Sequence, residues 1–122
     1  MTGRLVHLEL HTGRLGHARD FYAGLFGWRP DCVVTTAGRY LTMISDGEFG
    51  AGIVECSTPR STWLPYVEVD DIEASTARAT KLGAAVLLGP REGPAGYRSV
   101  IRRAGAGEVA LWQGKRDGAD PV

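Results

Sequence analysis

The sequence holds only two cysteines, Cys32 and Cys56, in 122 residues. Two thiols make no disulfide scaffold, and neither belongs to a C-x-x-C pair, so both are expected reduced, as in a cytosol. No uncharged apolar run approaches the roughly 20 residues that span a bilayer. Met1-Thr2-Gly3-Arg4-Leu5 meets charge where a secretory leader would carry its apolar stretch. The expectation is a cytoplasmic protein with no membrane partner. An excess of charge of one sign is also missing. Fourteen Lys and Arg balance fourteen Asp and Glu, for a net charge of zero, and the pI is near 6.8. A nucleic-acid partner needs a basic stripe, so none is expected. There is no G-x-S-x-G nucleophile elbow and no P-loop.

Glycine is abundant instead, with 17 residues, about twice the usual share. It has no fixed period, which indicates many tight turns between short strands. Hydrophobic residues make up 43% of the chain, enough for one ordinary core at this length.

The organising signal is internal. Residues 4–11 alternate strictly, with Val6, Leu8 and Leu10 on one face and Leu5, His7, Glu9 and His11 on the other. Period two over eight residues predicts a half-buried strand. Residues 62–69 repeat the pattern, with Leu64, Tyr66 and Glu68 opposite Val67 and Val69. Pro65 lacks a ladder donor, which predicts pairing on one side only at that point.

Each strand precedes a helix. Residues 14–26 carry Leu15, Ala18, Phe21, Tyr22 and Leu25 at helical spacing, between a Thr12 cap and a Gly27 stop. Residues 71–82 carry Ile72, Ser75, Ala79 and Leu82, with Asp70 as the cap and Gly83 as the stop. Strands follow at 28–36, 39–45 and 50–56, then at 84–88, 97–103 and 108–113. Turn chemistry stands at Ala37-Gly38, Asp46-Gly47 and Gly105-Ala106-Gly107. Gly89 to Gly96 reads as a breaker-rich loop able to fold over a binding site. The order β-α-β-β-β thus occurs twice, offset by about 57 residues. The fold class is α+β: two βαβββ modules, at about 4–56 and 62–113, forming a cupped mixed sheet with helices on the outer face. One domain covers 1–122, and its polar tail, 114–122, is expected to be flexible.

The run Phe21-Tyr22-Ala23-Gly24-Leu25-Phe26-Gly27-Trp28, with Trp63-Leu64-Pro65-Tyr66-Val67-Glu68-Val69-Asp70-Asp71, resembles the vicinal oxygen chelate superfamily. That group includes glyoxalase I, extradiol dioxygenases and bleomycin resistance proteins. The resemblance runs from about residue 4 to residue 113. It implies four metal-ligand positions in the cup, which fall on His7, Glu55, Leu64 and Ala110. Leucine and alanine donate nothing, and two ligands do not close a catalytic site. No metal or other cofactor is therefore expected. The alternative is a divalent metal on His7 and Glu55 with a third ligand from Glu108, Glu9 or Glu68.

Strand parity adds Tyr66 beside Leu64 and Trp112 beside Ala110, and Tyr97 caps the mouth. The candidate ligand-binding set is His7, Glu9, Glu55, Leu64, Tyr66, Tyr97, Glu108, Ala110 and Trp112. Trp28 and Trp63 are assigned to packing, and Cys56 to a buried, inert position. Apolar walls with aromatic faces and few polar groups suit a planar small molecule. The resemblance then implies a metal-independent binding protein that sequesters an aromatic natural product, of the antibiotic-resistance type, working as a homodimer. The alternative is an enzyme of this fold (lyase, isomerase, dioxygenase or aromatic polyketide tailoring) in which His7 and Glu55 are catalytic, or His7 and Glu9 in a metal-free form.

Overall fold

Strand β1 (Leu5–Thr12) leads into helix α1 (Leu15–Phe26), followed by β2 (Arg29–Thr35), β3 (Gly38–Ile44) and β4 (Ala51–Glu55). The order then repeats as β5 (Thr62–Glu68), α2 (Ile72–Lys81), β6 (Ala85–Glu92), β7 (Gly96–Arg103) and β8 (Gly107–Gly114). These elements come from a computed structural model that describes residues 3–35, 38–44, 51–93 and 95–115. The expected turns at Ala37-Gly38 and Asp46-Gly47 lie wholly or partly outside the described residues, as does the tail beyond Lys115. The α+β class and the doubled β-α-β-β-β order are those read from the sequence.

By internal packing the chain divides into two units, residues 7–64 and residues 1–6 with 65–122. In the first unit the strand order is β2-β3-β4-β1. β2, β3 and β4 are successive antiparallel neighbours, and β1 lies parallel to β4 with Leu10 opposite Ile53 and Thr12 opposite Glu55. Leu10, Leu15 and Ile53 form the buried core, with Ala18, Tyr22, Ala23, Trp28 and Trp63 packed against it. The Trp63 indole N–H donates to the Tyr22 hydroxyl at 2.9 Å. Tyr22 also stacks on Trp28, with centroids 5.6 Å apart. Both tryptophans therefore pack, as their positions implied.

The ends of α1 differ in how they are held. Gly27 closes the helix at φ 72° with its N–H on the Ala23 carbonyl, a conformation that suits a residue without Cβ. Thr12 does not cap the start. It ends β1, accepts from the Arg14 N–H at 3.0 Å and pairs with the Ser61 hydroxyl at 2.7 Å. Arg14 takes the capping position without a side-chain bond. The apolar stripe is buried only in part, because Phe21, Leu25 and Phe26 remain more than half exposed.

In the second unit the order is β5-β8-β7-β6. β8 runs parallel to β5, and Tyr66 pairs with Ala110 one residue beyond Pro65. Residues 3 and 4 join this unit through backbone bonds to Glu68. Helix α2 starts one residue later than expected, because Asp71 and not Asp70 accepts from the Ala74 N–H, at 3.0 Å. Its buried side is Ile72 and Thr76, and the Thr76 hydroxyl reaches Ser99 on β7 at 2.8 Å. Leu82, counted on that stripe, is exposed.

Of the breaker-rich stretch at 89–96, residues 89–92 and 96 are strand and not loop. β6 continues through Gly89 and Pro90 to Glu92, with register shifts between Val86 and Leu88 and between Leu88 and Arg91. Irregular pairing on the last strand of the unit absorbs a proline that a regular ladder would refuse. The Gly93 N–H donates to the Gly96 carbonyl. Two residues at the start of the expected tail are ordered into the second unit. Gly114 belongs to β8, and the Lys115 ammonium sits 3.0 Å from Glu92.

Candidate functional site

In each unit the helix covers one face of the sheet, and the candidate residues divide by which face they take. In the first unit Leu10 and Ile53 look toward α1. Alternation then turns His7, Glu9 and His11 to the opposite face. There the Glu9 carboxylate lies between two imidazoles. One oxygen is 2.8 Å from His11 Nε2, and the other is 3.3 Å from His7 Nε2. His7 and Glu9 are buried and His11 is half-buried. A buried carboxylate needs such partners to offset lost hydration. Leu64, at the end of this unit, is buried.

Glu55 does not join that group, contrary to the sequence reading. The parallel register sets it opposite Thr12, five residues along β1 from His7, or roughly 16 Å at strand rise. It also shares the parity of Ile53, which faces the helix. Glu55 instead borders an open cleft of about 440 Å³ with Gly13, Cys56, Ser57, Thr58 and Pro59. Cys56 is half-buried and not buried, and its thiol is 3.6 Å from the Val54 carbonyl.

In the second unit Ser99 and Gln113 mark the helix side, since Ser99 bonds Thr76 and Gln113 accepts from the Ile72 N–H at 2.8 Å. Tyr97 pairs with Gln113 across the β7–β8 ladder and so shares its side. It does not face Trp112, which corrects its assignment to the mouth. Arg98, one residue on, is the cross-strand partner of Trp112.

The helix-distal face carries Tyr66, Ala110, Trp112, Glu108 and Arg98 together. Tyr66 and Trp112 are 6.1 Å apart between centroids, tilted by 47°. Arg98 Nη1 donates to the Tyr66 hydroxyl at 3.1 Å. Tyr66, Ala110 and Trp112 are buried, while Arg98 is half-buried. Glu108 is half-buried and stands opposite Arg102 in the ladder. Gly96 makes room for the indole: a Cβ there would lie 2.7 Å from Trp112 Cζ2 and 2.4 Å from the Gln113 carbonyl oxygen.

The sequence reading therefore missed Arg98 and left His11 out of the candidate ligand-binding set. Both were accessible to it. His11 shares the alternation of His7 and Glu9, and counting outward from Gly105 at the centre of the last hairpin sets Arg98 against Trp112.

The residues present do not fit the four-position metal site that the resemblance implies. Leu64 and Ala110 have no donor atom, and Glu55 is displaced from His7 in both register and parity. Each imidazole on β1 takes a different oxygen of Glu9. Among the described residues, no group of three or more His, Cys, Asp or Glu is arranged to hold a metal ion. Among them, too, no helix is long and apolar enough to cross a membrane.

Residues 4–107 match the Glyoxalase/Bleomycin resistance protein/Dioxygenase superfamily. The anthracycline biosynthesis protein DnrV of Streptomyces peucetius is 30% identical, across 97% of this chain and 50% of its own length. The chain thus spans about half the length of this curated relative. Among solved structures, a hypothetical protein from Bacillus halodurans C-125 has the same fold, with TM-score 0.64, 13% identity, and 93% and 96% of the two chains covered. Methylmalonyl-CoA epimerase from Mycobacterium tuberculosis also shares it, with TM-score 0.58, 16% identity, and 94% and 89% coverage.

Proposed function

The chain belongs to the Glyoxalase/Bleomycin resistance protein/Dioxygenase superfamily, and from that premise we propose that it binds a planar aromatic natural product without a metal ion. The Tyr66–Trp112 pair on the helix-distal face of the second unit is the observation that carries this reading. Offset or tilted ring pairs offer a further ring an apolar face, and aromatic stacking adds about 0.5–1.5 kcal/mol beyond the area buried. Arg98, half-buried beside the pair, donates to the Tyr66 hydroxyl. The Streptomyces peucetius relative is named for anthracycline biosynthesis, and a fused-ring polyketide is the kind of molecule these rings suit. The role is sequestration of such a compound, in resistance or in its biosynthesis, by a cytoplasmic homodimer. The exposed Phe21, Leu25 and Phe26 support association, since clustered apolar side chains favour a partner. A monomeric mass by light scattering at micromolar concentration would contradict the dimer.

The test is titration with 1,8-dihydroxyanthraquinone, using wild-type protein and Trp112→Phe, whose smaller ring keeps the site filled. Saturable binding that weakens several-fold in the variant supports the reading. Binding that is absent, or indifferent to Trp112, overturns it.

A second reading has its own observation. The Glu9 carboxylate beside His7 and His11 is an arrangement in which an imidazole can act as a general base, held in orientation by the acid. In that reading the chain is a metal-free enzyme acting on an aromatic polyketide, with His7 and Glu9, one of the two pairs expected for it, as the acting pair. Conversion of a bound probe to product by wild-type protein, lost in His7→Gln with binding retained, would favour it over sequestration.

A further inference from the structure

Resting on the homodimer reading above, we propose that the outer face of α1 is the dimer contact. Each Phe21 ring seats in a notch that Gly24 leaves on the same helix of a second copy of this chain. Gly24 lies inside α1, where glycine is less favourable than any residue but proline. Neither backbone nor packing among the described residues asks for it. Its φ is not positive, and a Cβ there would meet no described atom within 4 Å. Gly24 is exposed, on the side of the helix opposite Leu15 and Tyr22, which pack on the core. What a bare helix backbone on an outer face permits is the close approach of another helix.

Phe21 and Leu25 flank that notch, and both are more than half exposed. Phe21 is nevertheless held in place. Its ring packs edge-on against Tyr22, with centroids 5.0 Å apart, and Tyr22 accepts from the Trp63 indole. A ring fixed beforehand loses little freedom when it docks. A knob and a notch one turn apart on one helix are self-complementary, as a two-fold contact requires. With the two α1 helices antiparallel about an axis between these positions, Phe21 of each chain meets Gly24 of the other. Phe26, at the end of the same helix, is also more than half exposed. Each of the three apolar side chains leaves roughly 100 Å² open. Interfaces are a little over half apolar, so two such patches correspond to about 1,000 Å² in total, where specific contacts begin. The exposed Val86 and Leu87 of the second unit lie on β6, whose shifted register and Pro90 guard that edge against pairing.

The experiment measures the dimer dissociation constant of the full chain by analytical ultracentrifugation, and the thermal midpoint of the chain diluted to monomer. Gly24→Ala should move the two in opposite directions. Alanine favours the helix, so the monomer midpoint should rise. The added methyl fills the notch, so the dimer should weaken at least about tenfold. Phe21→Ser, at an exposed position that leaves the core intact, should weaken the dimer as much. Leu87→Ser should leave the constant within about twofold of wild type. A wild-type chain that stays monomeric at micromolar concentration overturns the dimer reading and this contact with it. A wild-type dimer that neither α1 substitution weakens, or that Leu87→Ser dissociates, leaves the dimer standing and overturns the α1 contact. Weakening by only one of the two α1 substitutions overturns the pairing of knob and notch.

Discussion

The first strands of the two modules are copies of one plan filled with opposite chemistry. At matching positions of the repeat, β1 places His7, Glu9 and His11, and β5 places Leu64, Tyr66 and Glu68. The first set satisfies itself within one strand, through a carboxylate shared by imidazoles two residues away on either side. The second set draws on neighbours: Trp112 from β8 and Arg98 from β7. Strand alternation alone makes the polar group, while sheet register makes the aromatic one. The backbone plan decides which positions look away from the helix, and the residues at those positions decide what that face can bind.

Removing a member of either set measures the contrast. The largest effect is expected at Trp112, which is buried. Truncation of a core tryptophan to alanine costs about 3–5 kcal/mol. Trp112→Ala should therefore lower the denaturant midpoint more than Trp28→Ala, because Trp28 is only half-buried. The reverse order would show that the aromatic face contributes little to the second unit. Next comes Glu9. Without its carboxylate, His7 and His11 each lose a contact, and bonds to charged groups are worth about 1.5–3 kcal/mol. Glu9→Ala should cost about 2–3 kcal/mol in urea unfolding. Tyr66→Phe, at the matching position, should cost about 1.5 kcal/mol, the low end for a bond to a charged group, since it removes the bond from Arg98 where Glu9→Ala removes two contacts. Equal losses would mean that the two strands are not chemically distinct.

The smallest effect separates the two helices. Asp71→Ala removes a capping bond to Ala74, worth about 1 kcal/mol. Arg14→Ala removes no capping bond and should stay within about 0.5 kcal/mol of wild type. A thermal melt series on both variants decides it.

The parts of this molecule that depend on local periodicity were legible. Alternation in residues 4–11 and 62–69 placed β1 and β5, and the Gly27 stop of α1 followed from its position after Phe26. Tyr66 and Trp112 came to one face as their parity required. Features set between distant segments were not legible. The parallel register of β1 and β4 has no hairpin to fix it, so Glu55 was set beside His7 when the ladder puts it beside Thr12. Irregular pairing carried a strand through Gly89 and Pro90, whose composition alone argued for a loop. Tyr97 and Arg98 are a case between these. A shift of one residue exchanges the faces of a strand, and the symmetry of the last hairpin held the answer.

The central claim is that a planar aromatic ligand lies against the Tyr66–Trp112 face of the second unit. The chain has three tryptophans, and Trp28 and Trp63 pack on the core of the first unit. Their three indole N–H signals can be followed together while the uniformly ¹⁵N-labelled chain is titrated with 1,8-dihydroxyanthraquinone. The account predicts that the Trp112 signal moves in a saturable way while those of Trp28 and Trp63 stay in place. A saturating titration in which Trp28 or Trp63 moves and Trp112 does not would contradict it.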